Sequence, residues 1–271
     1  MNTNEPKIAI LVDGDNAQPK TLKLILEEVS VKYGKATIRR IYGDWTDSKM
    51  KGWKNAVNEL SFDPRQKFTY TSGKNSTDGA LIIDAMDILH SKSVDGFCIV
   101  SSDSDFTGLA KRIREEGVQV IGMGKKTTPK AFIQSCEVFT FVENLSAEPA
   151  IPVKETELGT TTKNEEKALP TPSPMVKTSR KNEAKFPSKT KQPAVPENIT
   201  ELLNKAFNSI VNENDEANLA ELGSALKRLD PSFDVRSYGV NSFLKFLRLI
   251  DIFDIRDNTV GKYNHPIVKK K

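Results

Sequence analysis

KIAILVDGDN, residues 7–16, is the stretch on which the fold of this chain turns. Ile8 to Val12 form an unbroken apolar run that stops at Asp13, and Gly14, Asp15 and Asn16 then supply the material of a tight turn. A short run without polar alternation has no solvent face. It reads as a strand covered on both sides, as in a parallel sheet. In such sheets, groups just beyond the carboxyl ends of strands converge on a crevice where the strand order reverses. GFCIVSSDSDF, residues 96–106, repeats the pattern: an apolar run, then Asp103 and Asp105. Asp13 and Asp103, ninety positions apart, are thereby expected to meet.

Working outward, strand-like and helix-like segments alternate up to residue 145. Leu22, Ile25, Leu26 and Val29 recur at helical spacing over 19–32, with Pro19 suited to a first turn and Gly34 just past the end. Further strands are expected over 37–42, 67–71, 118–122 and 138–141. Helices are expected over 50–60, 78–90 and 106–116, with a short one after Pro129. Leu81, Ile82, Ala85, Met86 and Leu89 line one face of the 78–90 segment, and Asp78 stands at its head. The fold class is α/β, a parallel sheet with helices on both faces.

Four carboxylates drawn to one end of a sheet repel one another unless a cation sits among them. Asp13, Asp78, Asp103 and Asp105 form an all-oxygen donor set that suits Mg²⁺ or Mn²⁺. Such ions activate water and stabilise the leaving oxygen in phosphodiester hydrolysis. The only histidines, His90 and His265, are distant in sequence from the aspartates, which weighs against zinc and against histidine acid–base chemistry. Each aspartate also has a plain structural reading, as a turn residue or a helix cap; Asp15 is assigned only that. Asp84, six positions after Asp78, lies about 120° around the helix and is given a supporting role.

Residues 146–196 carry eight of the fourteen prolines and a run of lysines, with almost no apolar periodicity. They are expected to be a disordered linker whose positive charge offers a weak nucleic-acid tether. From residue 197 apolar stripes resume: Leu202, Leu203, Ala206, Phe207 and Ile210, then Leu219, Leu222, Ala225, Leu226 and Leu229, then Val240, Phe243, Leu244, Leu247 and Ile250. Strand-like segments at 252–256 and near Ile267 complete a small winged helix-turn-helix. The predicted domains are 1–145, 146–196 and 197–271. No apolar run reaches the length of a bilayer span, the start MNTNEPKIAILVDG lacks a secretory signal, and Cys98 and Cys136 form no disulfide framework. A cytoplasmic protein with reduced thiols is expected.

ILVDGDN at 10–16, KNSTDGALIIDAMD at 74–87, IVSSDSDFTGLAKRIREEG at 99–117 and TPKAFIQSCEVFTFVEN at 128–144 resemble the NYN domain family, nucleases with a PIN-like fold. The resemblance implies RNA cleavage with Mg²⁺ or Mn²⁺ held by Asp13, Asp78, Asp103 and Asp105, with Asn16 orienting Asp13 or touching the substrate. LLNKAFNSI and LAELGSALKRLDPSFDVRSYGVNSFLKFLRLIDIFDI resemble the LOTUS domain, also called OST-HTH, a winged helix associated with RNA. It implies Arg236, Tyr238, Lys245 and Arg248 as RNA-facing residues, set against a reading in which Tyr238 packs in the core.

In the first domain Trp45 is expected either to stack an unpaired base or to cover the sheet edge. Lys74, Lys125 and Lys126 are candidates to hold phosphates. The expected partner is single-stranded RNA, with a homodimer or a protein partner through the C-terminal domain as further options and no membrane. The assembled reading is a metal-dependent endoribonuclease carrying an RNA-binding module. Its rivals are a non-catalytic RNA-binding adaptor and a HAD-type phosphatase using Asp13 and Asp15.

Overall fold

The computed structural model describes residues 5–68, 76–145, 197–260 and 263–271. The predicted linker and Lys74 lie outside the described residues. In the first part, β1 (Lys7–Asp13) leads through α1 (Leu22–Lys32) to β2 (Lys35–Gly43), then α2 (Lys54–Leu60) and β3 (Asp63–Gln66). The chain continues with α3 (Ser76–Ser91), β4 (Gly96–Val100), α4 (Thr107–Glu115), β5 (Gln119–Gly124), α5 (Lys130–Ser135) and β6 (Val138–Phe141). All six strands pair in parallel, in the order β3-β2-β1-β4-β5-β6. The order reverses between β1 and β4, so the switch-point crevice opens at the ends of the two apolar runs.

Both faces of the sheet are covered. Ile8, Ile10 and Val12 of β1 pack with Leu22, Ile25 and Val29 of α1 and with Trp53. Ala9 and Leu11 pack the other way, with Leu81 and Ala85 of α3 and Ala110 and Ile113 of α4. The two-residue period of a strand carries Asp13 onto the same face as Leu11, the face covered by α3. Cys98 and Cys136 are buried free thiols.

Two expected segments differ. The 50–60 helix divides into a 3-10 stretch, Ser48–Trp53, capped by the Asp47 carboxylate on the Lys49 N–H (2.9 Å), followed by α2. A strand not expected from sequence, β3, runs Asp63–Gln66; of the strand expected over 67–71, Lys67 and Phe68 lie in no strand and 69–71 lie outside the described residues. β3 is an edge strand with all four residues exposed, so it carries no apolar signal, and Pro64 is tolerated there because only one side of the strand is paired.

The C-terminal part holds α6 (Glu197–Asn208), β7 (Glu216–Asn218), α7 (Leu219–Leu229), α8 (Phe243–Ile250), β8 (Phe253–Arg256), β9 (Thr259–Val260), β10 (Tyr263–Asn264) and β11 (Ile267–Lys270). The two expected strand-like segments are β8 and β11, which pair antiparallel, and β7 adds a third antiparallel strand in the order β7-β11-β8. Leu203, Phe207, Leu222, Leu226, Phe246, Leu247 and Val268 close its core. Asn218 caps α7 through the Ala220 N–H at 2.8 Å. No helix among the described residues is long and apolar enough to cross a membrane.

Candidate active site

The turn after β1 is built by close approach. The Gly14 N–H donates to the Tyr42 carbonyl at 2.9 Å, and a Cβ at Gly14 would lie 2.7 Å from that oxygen and 2.8 Å from the Met50 methyl. Only glycine fits. The chain then folds back over its own carboxylate: Asp13 Oδ1 accepts the N–H groups of Asp15 (3.1 Å) and Asn16 (3.3 Å). Ser101, directly after β4, donates its hydroxyl to Asp13 Oδ2 at 2.7 Å and accepts the Asp103 N–H at 3.1 Å. Asp103 Oδ1 in turn accepts the Asp105 N–H at 3.0 Å, which starts the 3-10 turn Ser104–Phe106. A continuous chain of hydrogen bonds therefore joins the ends of β1 and β4.

Asp78, Asp103 and Asp105 each offer an oxygen within 4.8 Å of the others. Asp13 is not one of this triplet. It is 1% exposed, with both oxygens hydrogen-bonded, and its negative charge is felt at Asp78. Burial pushes its carboxyl up, against hydrogen bonds from Ser101, Asn16 and Asp15. Burial also raises Asp78, and the negative charges of Asp13, Asp103, Asp105 and Asp15 raise it further, to about 6. Carboxylates that resist ionising together are a site a divalent cation would relieve. Donors on opposite sides of one Mg²⁺ stand about 4.2 Å apart, so the spread of this oxygen-only set is of the right order.

Residues 7–143 match the NYN domain, and residues 191–265 match the OST-HTH/LOTUS domain. The chain belongs to the NYN domain family. NYN domains are nucleases of PIN-like fold, and OST-HTH is an RNA-binding module. Uncharacterized protein MJ0482 of Methanocaldococcus jannaschii is 27% identical over 124 residues, covering 44% of this chain and 48% of the relative. The chain thus spans about half the length of the curated relative it matches. A solved protein of unknown function, VPA0982 from Vibrio parahaemolyticus, is 22% identical with a TM-score of 0.44, over 52% of this chain and 95% of that one.

The other sequence-predicted residues of the NYN domain are divided between this crevice and the β2–β3 side of the sheet. Asn16 stands beside Asp13, with its backbone N–H on Asp13 Oδ1 at 3.3 Å. Asp84 is not one of the triplet: its carboxylate accepts Arg40 Nη1 at 2.6 Å and the Tyr42 hydroxyl, tying α3 to β2. Trp45 packs on the α1-side core and donates its indole N–H to the Arg65 carbonyl (3.1 Å), so it covers the β3 edge. The Lys125 N–H is held by Ser102 Oγ at 2.9 Å, beside a cavity of about 270 Å³ that Asn16, Lys20, Ser101 and Glu143 also line. Lys126 is exposed, with its N–H on Glu143 at 3.2 Å.

In the OST-HTH domain Lys245 and Arg248 are exposed on α8, whereas Tyr238 is half-buried against Phe246, with ring centroids 4.8 Å apart. That is the core packing weighed for Tyr238 from sequence. Arg236 is turned to carboxylates, binding Asp234 and Glu28. The HAD-type alternative needs Asp13 presented to a phosphorus atom, and a carboxylate 1% exposed with both oxygens engaged is not so presented.

Sequence reasoning missed Ser101, the link between Asp13 and Asp103. A hydroxyl directly after a buried run and two residues before an aspartate was its only signal.

The raised Asp78 has a testable cost. An acid whose folded pKa lies above its ordinary 3.8 leaves the folded state holding more protons between that value and about 6, so stability falls as pH rises through this window. In EDTA at pH 8, Asp78→Asn is therefore expected to be more stable than wild type, by on the order of 1 kcal/mol once solvent screening is allowed for. The gain should vanish towards pH 4. Thermal unfolding across pH reads this directly, and a variant less stable than wild type at pH 8 refutes the repulsion.

Proposed function

We propose that this protein is a metal-dependent endoribonuclease, with Mg²⁺ or Mn²⁺ held by Asp78, Asp103 and Asp105 at the mouth of the β1/β4 crevice. The observation that carries the reading is the convergence of three carboxylates within 4.8 Å at the switch point of a sheet in the NYN family. A divalent ion there would generate a nucleophilic water and neutralise charge on the phosphoryl group. The chain's own residues supply the fixed bowl: Ser101 and the Gly14 turn hold Asp13, and Asp13 contributes negative charge felt at Asp78. Asp103 caps the turn that presents Asp105.

The substrate is single-stranded RNA. Lys125 and Lys126 are offered to phosphates beside the crevice, and Lys245 and Arg248 carry the retention by the OST-HTH domain. Phosphate contacts of this kind position the strand and leave sequence choice to other groups.

The test is incubation of purified full-length protein with end-labelled single-stranded RNA in Mn²⁺, Mg²⁺ or EDTA, across the column fractions of the protein peak. Cleavage should follow the peak, require either ion and stop in EDTA. Cleavage that persists in EDTA, or no cleavage with either ion, overturns the proposal.

A further inference from the structure

Among the described residues the NYN sheet ends at β6, which pairs there with β5 alone. The Phe139 N–H of β6 donates out of the sheet, to the Pro231 carbonyl at 2.8 Å. Pro231 belongs to the DPSFDVRSY segment, 230–238, of the OST-HTH domain. Strand edges are surfaces that proteins cover, and this segment covers one.

The contact continues on both sides. Asn144, 4% exposed, donates its side-chain amide to Ser237 Oγ at 2.8 Å. Arg236 spreads its fork over two carboxylates. Nη1 and Nη2 reach the two oxygens of Glu28 on α1 at 3.2 and 2.7 Å, while Nε and Nη2 reach Asp234 Oδ2 at 2.9 and 2.6 Å. Lys32 completes the set on Glu28 at 2.7 Å. Two cations thus meet two anions. The side chains of Arg236, Glu28 and Asp234 keep only 22, 10 and 13% of their exposure, so these are not the loose ion pairs of a surface. Burial opposes the charge on Glu28, yet hydrogen bonds from Arg236 and Lys32 outweigh it and hold its carboxyl below the usual range.

Every nitrogen of the Arg236 fork is engaged, so a phosphate would have to displace a carboxylate to reach it. Glu28 lies in the second half of α1. A crevice of about 510 Å³, lined by Tyr33, Thr140, Ser224 and Lys227 among others, persists between the two surfaces. Apolar burial alone therefore does not seal them, and the charged group carries much of the attachment.

We infer that residues 230–238 are a docking element whose Asp234–Arg236–Glu28 clasp fastens the OST-HTH domain to the β6 margin of the NYN domain, leaving RNA to another of its surfaces. The two modules then act as one body, and 146–196 closes a loop instead of serving as the sole tether. Removing one partner of a hydrogen-bonded, part-buried ion set strands the charge of the other, so the clasp should be sensitive to single substitutions.

Small-angle X-ray scattering of the full chain tests this without reference to cleavage. Wild type should scatter as one body. Glu28→Arg should lengthen the largest dimension, up to the reach of the 51 residues of 146–196, on the order of 40 Å for an unstructured chain. Arg236→Gln should shift it in the same direction by less, and its affinity for single-stranded RNA should stay within about twofold of wild type, since a lost phosphate contact would weaken binding and lower its salt dependence. The inference is overturned by a wild-type profile of two separated bodies. It is also overturned if folded Glu28→Arg scatters as wild type does, or if Arg236→Gln loses RNA affinity several-fold with unchanged scattering. Should Glu28→Arg lose its far-ultraviolet circular dichroism, Arg236→Gln decides by the same outcomes.

Discussion

Asp103→Asn is expected to lower metal-dependent RNA cleavage on the order of 10³-fold, about 4 kcal/mol of activation free energy, while leaving the protein folded and its retention of RNA intact. The separation follows from what Asp103 does. Its carboxylate belongs to the triplet with Asp78 and Asp105, its Oδ1 accepts the Asp105 N–H, and its own N–H rests on Ser101. Asparagine keeps the shape, and its amide oxygen still accepts from Asp105, so the 3-10 turn survives and only the charge is lost. The stability of the metal-free variant should be unchanged or slightly raised, because one member of a self-repelling group has gone. Cleavage assays with circular dichroism and filter binding on the same preparation give all three readouts. Equal degradation of RNA by wild type and variant would mean that a contaminant cuts, and the nuclease reading would fail with it.

How much of this was legible in the sequence follows from what kind of signal each part leaves. β1 and β4 are buried on both faces, so their apolar runs announce them, and 96–100 and 138–141 coincide with the strands found. β3 buries nothing and lies at an edge, and no pattern of side chains marks it. The meeting of Asp13 with Asp103 was readable because a parallel sheet dictates where strand ends go. Which carboxylates share an ion was not, since Asp13 is withdrawn by hydrogen bonds that depend on the fold of the 14–16 turn and on Ser101. Asp84 misled for a similar reason: Arg40 and Tyr42, which claim it, are more than forty residues away. Arg236 lies in a segment picked out for RNA, and its tie to Glu28 spans 208 positions, a distance across which no local pattern speaks.

Phe106→Ala should have the largest effect on stability, because it removes the ring that seats the acidic turn. Phe106 is 0% exposed and directly follows Asp105, and its ring lies 6.3 Å from Phe132, which meets Phe139 edge-on at 5.8 Å. Emptying such a site costs about 3–5 kcal/mol, the transfer term plus the cavity left behind, a fall in melting temperature of roughly 10 °C for a domain of this size. Cleavage should fall as well, at temperatures where the variant is still folded. Asp103 and Asp105 sit on the 3-10 turn that the ring pins to α5, and a displacement near 1 Å can cost about 100-fold. Phe106→Leu refills most of the volume and should recover the greater part of both losses. Thermal unfolding and cleavage at 20 °C, compared across the three proteins, separate packing from chemistry. If Phe106→Ala melts early yet cuts at the wild-type rate while folded, the turn is held by its own backbone bonds, and the aromatic cluster stabilises the domain without shaping the site.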